Sequence, residues 1–158
     1  MRRATAASIG RLVRGAMLAA TVACGGGDGG PSGNGNPPAV AGNYSATFAA
    51  NEATGCQGFV TAPSSTSGTL RVTQSGTSVT LHISELAEQI ASNTQGTLSP
   101  SGAFHFEGVV LLDPGPGEDD EVPAMGTIDG SFSGSSMNLE FDFSLATCHV
   151  VGTIIGQR

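Results

Sequence analysis

Few side chains in this 158-residue sequence have the type and spacing to do chemistry. His82, His105 and His149 each alternate with apolar neighbours, which places them on the polar faces of different strands. Imidazoles on adjacent strands hold a transition metal when their registers align. Unrelated surface imidazoles are the plainer expectation, and no metal or other cofactor is expected. Glu140 and Asp142 share a strand face about 7 Å apart, a separation that glycosidases use. Without aromatic platforms for a sugar, they read as surface charge. Asp113-Pro-Gly-Pro-Gly-Glu-Asp-Asp-Glu121 gathers five acids in nine residues, but lacks the spacing of a calcium loop and reads as a solvated loop that blunts a sheet edge. In Gly130-Ser-Phe-Ser-Gly134 a phenylalanine stands where a nucleophile elbow needs serine. Cys-x-x-Cys, His-Glu-x-x-His and a phosphate-binding glycine loop are absent. No nucleophile, base and orienting group assemble from motifs, so a non-catalytic role is expected ahead of an enzyme.

The elements that must position these side chains are strands. VTLHI alternates Val79, Leu81 and Ile83 with polar residues, and NLEFDFSL alternates Leu139, Phe141, Phe143 and Leu145 with Glu140, Asp142 and Ser144. One face is therefore buried and the other wet. The same reading predicts strands at Asn43–Ala49, Gly58–Ala62, Thr69–Gln74, Ser78–Ile83, Gly96–Ser99, Ala103–Leu112, Gly126–Ser133, Ser136–Leu145 and Cys148–Gly156, with turns at Ser75-Gly76, Ser101-Gly102 and Gly134-Ser135. Gly-Thr-Leu at 68–70 and 96–98, then Gly-Thr-Ile at 126–128 and 152–154, recur about one hairpin apart and suggest a meander. Only Ser84–Ser92 breaks the rhythm. Ser84 is a candidate N-cap, Glu85 and Glu88 suit the positive end of a helix dipole, and Leu86 and Ile90 share a face. One or two helical turns are expected there, as a crossover or as a lid over a cavity. The fold class is all-β, an up-and-down meander of eight to nine strands closed into a barrel, with a β-sandwich as the alternative.

All six basic residues are arginines, and Arg2, Arg3, Arg11 and Arg14 fall in the first fourteen positions. From Cys24 onward two arginines stand against thirteen acids, a formal charge of −11. Such a surface repels phosphate backbones, so nucleic acid is not an expected partner. Gly15–Ala23 is uncharged but shorter than the ~20 residues that cross a bilayer. With the arginines before it, it has the form of an export signal over residues 1–23. Residues 24–40, almost all Gly, Pro, Asn, Ser and Asp after the cysteine, have little to bury and read as a flexible tether reaching about 22 Å. Residues 41–158 form the barrel domain.

Thr21-Val22-Ala23-Cys24 resembles the lipobox of bacterial lipoproteins, with Thr21 where that family prefers leucine. The resemblance implies cleavage before Cys24, a diacylglycerol on its sulfur and an acylated new amino terminus. The protein would then be exported and held at the cell envelope, its partner being a membrane reached through the lipid anchor. Gly25 after the cysteine favours the outer membrane where the host has one. The alternative is a soluble secreted protein cleaved near Ala23. With Cys24 acylated, Cys56 and Cys148 remain. In an oxidising compartment they are expected to form a disulfide joining the first and last segments of the sheet, which closure would bring together.

Gly42-Asn43-Tyr44 is similar to the Gly-x-Trp that opens the lipocalin domain, with tyrosine in place of tryptophan. This likeness implies an eight-stranded barrel with a cavity for a small apolar ligand. Two functions follow. Either the barrel is filled by its own side chains and serves a structural or interaction role beside another envelope protein, or it binds a small apolar molecule. Val79, Leu81, Ile83, Phe104, Phe106, Ile128, Phe132, Leu139, Phe141 and Phe143 share the predicted inner phase, enough to fill a small barrel and to favour the first. An enclosed void of roughly 300 Å³ or more would favour the second.

Overall fold

A computed structural model describes residues 35–56, 60–113 and 121–158. Cys24, the export signal and most of the tether lie outside the described residues. Eight antiparallel strands run in sequence order: β1 (Gly42–Thr54), β2 (Ser64–Ser75), β3 (Ser78–Leu81), β4 (Thr94–Leu98), β5 (Ala103–Leu112), β6 (Val122–Ser133), β7 (Ser136–Leu145) and β8 (Cys148–Gln157). Each pairs with the next, and β1 also pairs with β8, so the meander closes into a barrel with no sandwich split. All ten residues expected in the inner phase are buried. β7 shows why, alternating buried Met137, Leu139, Phe141 and Phe143 with exposed Asn138, Glu140 and Asp142. The inside is apolar and the outside polar, the reverse of a barrel that faces lipid.

Two expectations are corrected. The described part of the expected strand Gly58–Ala62 is not a strand: Val60, Thr61 and Ala62 lie outside the ladders, and β2 begins at Ser64, after Pro63, which has no N–H to donate. Of the one or two helical turns expected within Ser84–Ser92, only a short one at its start forms. A single 3-10 turn covers Ile83–Glu85, and Ser84 does not cap it, its hydroxyl donating to Asn93 Oδ1 at 3.0 Å. Tertiary hydrogen bonds take the segment elsewhere. Ala91 N–H donates to Leu111 O at 2.8 Å, Asp113 N–H to Gln89 O at 3.0 Å, and Leu111 N–H to the Ser92 hydroxyl at 2.9 Å. The crossover is thereby laid along the end of β5 while Leu86, Ala87 and Ile90 face the core.

The four Gly-Thr-(Leu/Ile) repeats fall one each on β2, β4, β6 and β8. Leu70, Leu98, Ile128 and Ile154 all point inward and are at most 1% exposed. The glycines leave room for large neighbours. A Cβ at Gly126 would overlap the Phe143 ring, one at Gly152 the Phe141 ring, one at Gly96 the Phe104 ring, and one at Gly68 would press on Leu86 at 3.3 Å. The repeat is thus a packing device, pairing an aliphatic with a hole that a ring or leucine on a neighbouring segment fills.

The two ends of the barrel differ. At the closed end lie the β2–β3, β4–β5 and β6–β7 hairpins and the entry to β1. Tyr44 is fully buried there, its hydroxyl donating to Val40 O at 2.9 Å, and it meets Phe132 edge-on, with ring centroids 5.9 Å apart. Arg158 lies over the Tyr44 ring and donates to Ala41 O and Gly134 O, while Gln74 bonds both Pro38 and Val40. The last residues of the expected tether are therefore docked on the barrel. The opposite end, the mouth, carries the β1–β2, β3–β4, β5–β6 and β7–β8 connections. The Cys56–Cys148 disulfide sits there, its Cα atoms 4.3 Å apart, and joins the residue after the β1–β2 chain reversal begins to the first residue of β8.

Candidate functional site

The mouth leads into a pocket of about 260 Å³. Its wall is built by alternation. Phe48 and Ala50 come from β1, Phe141 and Phe143 from β7, Val150 from β8 and Leu112 from β5, each at an inward position. Ile90 and Gln89 of the β3–β4 crossover, Val60 and Thr61 of the β1–β2 connection and Ser64, Ser65 and Thr66 at the start of β2 complete the described lining, with Asp113 at the rim. The rings of Phe48 and Phe141 stack 4.4 Å apart and 10° from parallel, and Phe141 stacks on Phe143 at 4.9 Å and 24°. Three nearly parallel rings thus form one continuous apolar wall. Gly152 and Gly126, directly opposite Phe141 and Phe143 on the neighbouring strands, let two of them lie in place. Below this level the lumen is filled, with Leu70, Leu139, Ile128 and Ile154 each inaccessible to solvent.

Polarity is confined to the rim, where Thr61, Ser64, Ser65, Thr66, Gln89 and Asp113 line the opening. No arginine or lysine is among the described lining residues. Arg71 is engaged outside the barrel by Glu85 and His82, and Arg158 at the closed end. The hydrogen bond between Arg71 and Glu85, aided by their charges, holds the Glu85 carboxyl below its ordinary range.

The structure separates the three histidines. Arg71 donates to His82 Nδ1 at 3.0 Å just beyond β3. His105 on β5 lies directly across from Asp129 on β6 and donates to its carboxylate, Nδ1 to Oδ1 2.6 Å. His149 on β8 donates to Asp142 on β7, Nε2 to Oδ1 2.8 Å. Hydrogen bonding to Asp129 raises the His105 pKa against partial desolvation, with further help from the charges of Asp129 and Glu107. Among the described residues no three histidine, cysteine or acidic side chains converge to hold a metal ion. Glu140 and Asp142 both face outward from β7, opposite Asp129 and Thr127, and so lie away from the pocket. Of the acidic segment, Asp113 and Glu121 are described, and they mark the β5–β6 connection as part of the mouth.

Sequence reasoning found Phe141 and Phe143 but not the residues that make them a site. Phe48, Ala50, Val150, Leu112 and Ile90 were not among the expected inner residues. The alternation of Tyr44, Ala46, Phe48 and Ala50 in NYSATFAA was the available signal for the first two. Tyr44, which carried the likeness to lipocalins, lies at the closed end and takes no part in the pocket. No protein-family model, curated protein or solved structure matches this chain.

Proposed function

We propose that this is an exported lipoprotein, anchored through Cys24, whose barrel holds one small apolar molecule in its mouth, in a non-catalytic role. The observation that carries the ligand reading is the contrast between the two halves of the lumen. The closed half is packed, while the mouth half leaves about 260 Å³ against three stacked rings. This falls short of the enclosed void of roughly 300 Å³ at which drug-sized pockets begin, so the ring-lined wall and not the volume favours a ligand, and the occupant would be small. Burying its apolar surface against the rings is the driving force, at about 25 cal/mol per Å² removed from water. The anchor reading is supported by the lipobox-like Thr21–Cys24 and by the position of residue 40, which enters at the closed end, opposite the mouth.

Native mass spectrometry of the protein purified from its own host tests the ligand reading. An added mass that is lost on denaturation supports it. Binding of the neutral dye N-phenyl-1-naphthylamine, weakened about tenfold by Phe48→Ala, would locate the site, because Phe48 is only half-buried and its truncation spares the packed half. No travelling mass and no dye binding would instead favour the filled-barrel reading, a structural or interaction role beside an envelope partner, which the packing of the closed half supports. For the anchor, Cys24→Ser should abolish palmitate labelling and release the protein from membranes. Retention with the label lost would overturn that part.

A further inference from the structure

We infer, on the reading of the mouth as a ligand site, that the pocket selects by charge: it accepts a neutral or cationic molecule with an apolar body and rejects a carboxylate built on the same body. The apolar body follows from the wall. Phe48, Phe141 and Phe143 stack on one another, with centroids 4.4 Å and 4.9 Å apart, and leave hydrocarbon toward the lumen. The charge preference follows from where the cations are. Beyond Arg14 the sequence holds only Arg71 and Arg158, and no lysine at all. Arg71 is bound to Glu85 and His82 on the outer face, and Arg158 to the backbone carbonyls of Ala39, Ala41 and Gly134 at the other end of the barrel. Neither is among the residues that line the pocket. His149, close to the mouth in register, faces outward and is bonded to Asp142.

Asp113 lines the rim, and its charge is negative. A carboxylate entering the pocket would give up water without gaining a cation, an uncompensated desolvation. It would also approach a rim of its own sign. An ammonium group left at the rim keeps its water on one side and meets opposite charge on the other. Hydroxyls of Thr61, Ser64 and Thr66 and the Gln89 amide supply neutral partners for an alcohol.

Three probes with one body separate the charge preference from the existence of the site: 2-naphthalenemethanol, 2-naphthylmethylammonium and 2-naphthoate, titrated calorimetrically into the full chain. The expected order is ammonium and alcohol tight, with naphthoate at least about tenfold weaker. The ammonium affinity should fall as salt rises while the alcohol affinity stays level. Equal binding of all three, or tightest binding of naphthoate, overturns charge selection and leaves the pocket standing. Failure of all three to bind overturns the pocket and the selection together.

Discussion

Replacing both Cys56 and Cys148 by alanine perturbs the unfolded chain more than the folded one. In the native barrel β1 and β8 are already paired from Ser45↔Gln157 to Thr54↔His149, so the ladder keeps these segments together without the bridge. In the unfolded state the bridge closes a loop spanning 92 positions. On the chain-entropy model such a loop restricts the unfolded ensemble by about 15–16 cal/mol/K, or about 4–5 kcal/mol at 25 °C. Packing losses are smaller, because each substitution removes one sulfur from a position on the edge of the core. Domains of this size are stable by about 5–15 kcal/mol, so the double variant would lose a large share of the total. With a urea slope of about 1.5–2 kcal/mol/M the unfolding midpoint should fall by about 2–3 M. The slope itself should rise, since a chain without the cross-link exposes more surface when unfolded. The assay is equilibrium urea unfolding of the oxidised parent and the double variant, followed by far-ultraviolet circular dichroism. A loss below about 1 kcal/mol, or a full loss with an unchanged slope, would refute the assignment of the effect to the unfolded state.

Three further outcomes are expected. The Thr94 hydroxyl is buried without a hydrogen-bond partner, so Thr94→Val, which keeps the shape, should raise stability by about 1 kcal/mol in the same assay; an equal loss would count against it. Gly126→Ala puts a methyl group into the Phe143 ring and should cost about 1–3 kcal/mol, part of which Phe143→Leu should restore in the double variant; additive losses would show that the ring is not what the methyl group meets. The His105 pKa is raised in the folded state by Asp129, so its contribution is fully present below the unfolded imidazole value of about 6.5 and is lost as pH rises through the folded value. His105→Gln should therefore lower the urea midpoint more at pH 5.5 than at pH 8.5, and an equal difference at both would contradict the pairing.

What was legible in the sequence follows from where alternation had a core to answer to. Ala103–Leu112 and Ser136–Leu145 were readable to their last residues, because each inward side chain on β5 and β7 meets apolar neighbours. The first half of β2 was silent for the opposite reason. Ser64, Ser65, Thr66 and Ser67 are strand residues whose inner side borders the open mouth, so no apolar period marks them. The crossover at Ser84–Ser92 carried a helical pattern of apolar residues, yet what decided its path were hydrogen bonds to Leu111 and Asp113, about twenty residues away in sequence. The pocket was half legible. Its rings belong to readable strands, but its emptiness depends on how glycines, a crossover and a connection meet in space.

The direction in which β1 leaves the closed end has a mechanical consequence. Residues 38–41 feed directly into a strand flanked on both sides, paired with β2 from Gly42 to Ala50 and with β8 from Ser45 to Thr54. A pull applied to residue 38, directed away from the barrel, acts along β1 and across none of its hydrogen bonds. Both ladders are then loaded in shear, with many bonds sharing the force, where a pull at right angles would open them one at a time. The disulfide lies at the far end of the same strand and takes up load only after both ladders have slipped. A domain held by its leading segment in a moving fluid would thus be gripped in the direction in which a β-barrel yields last.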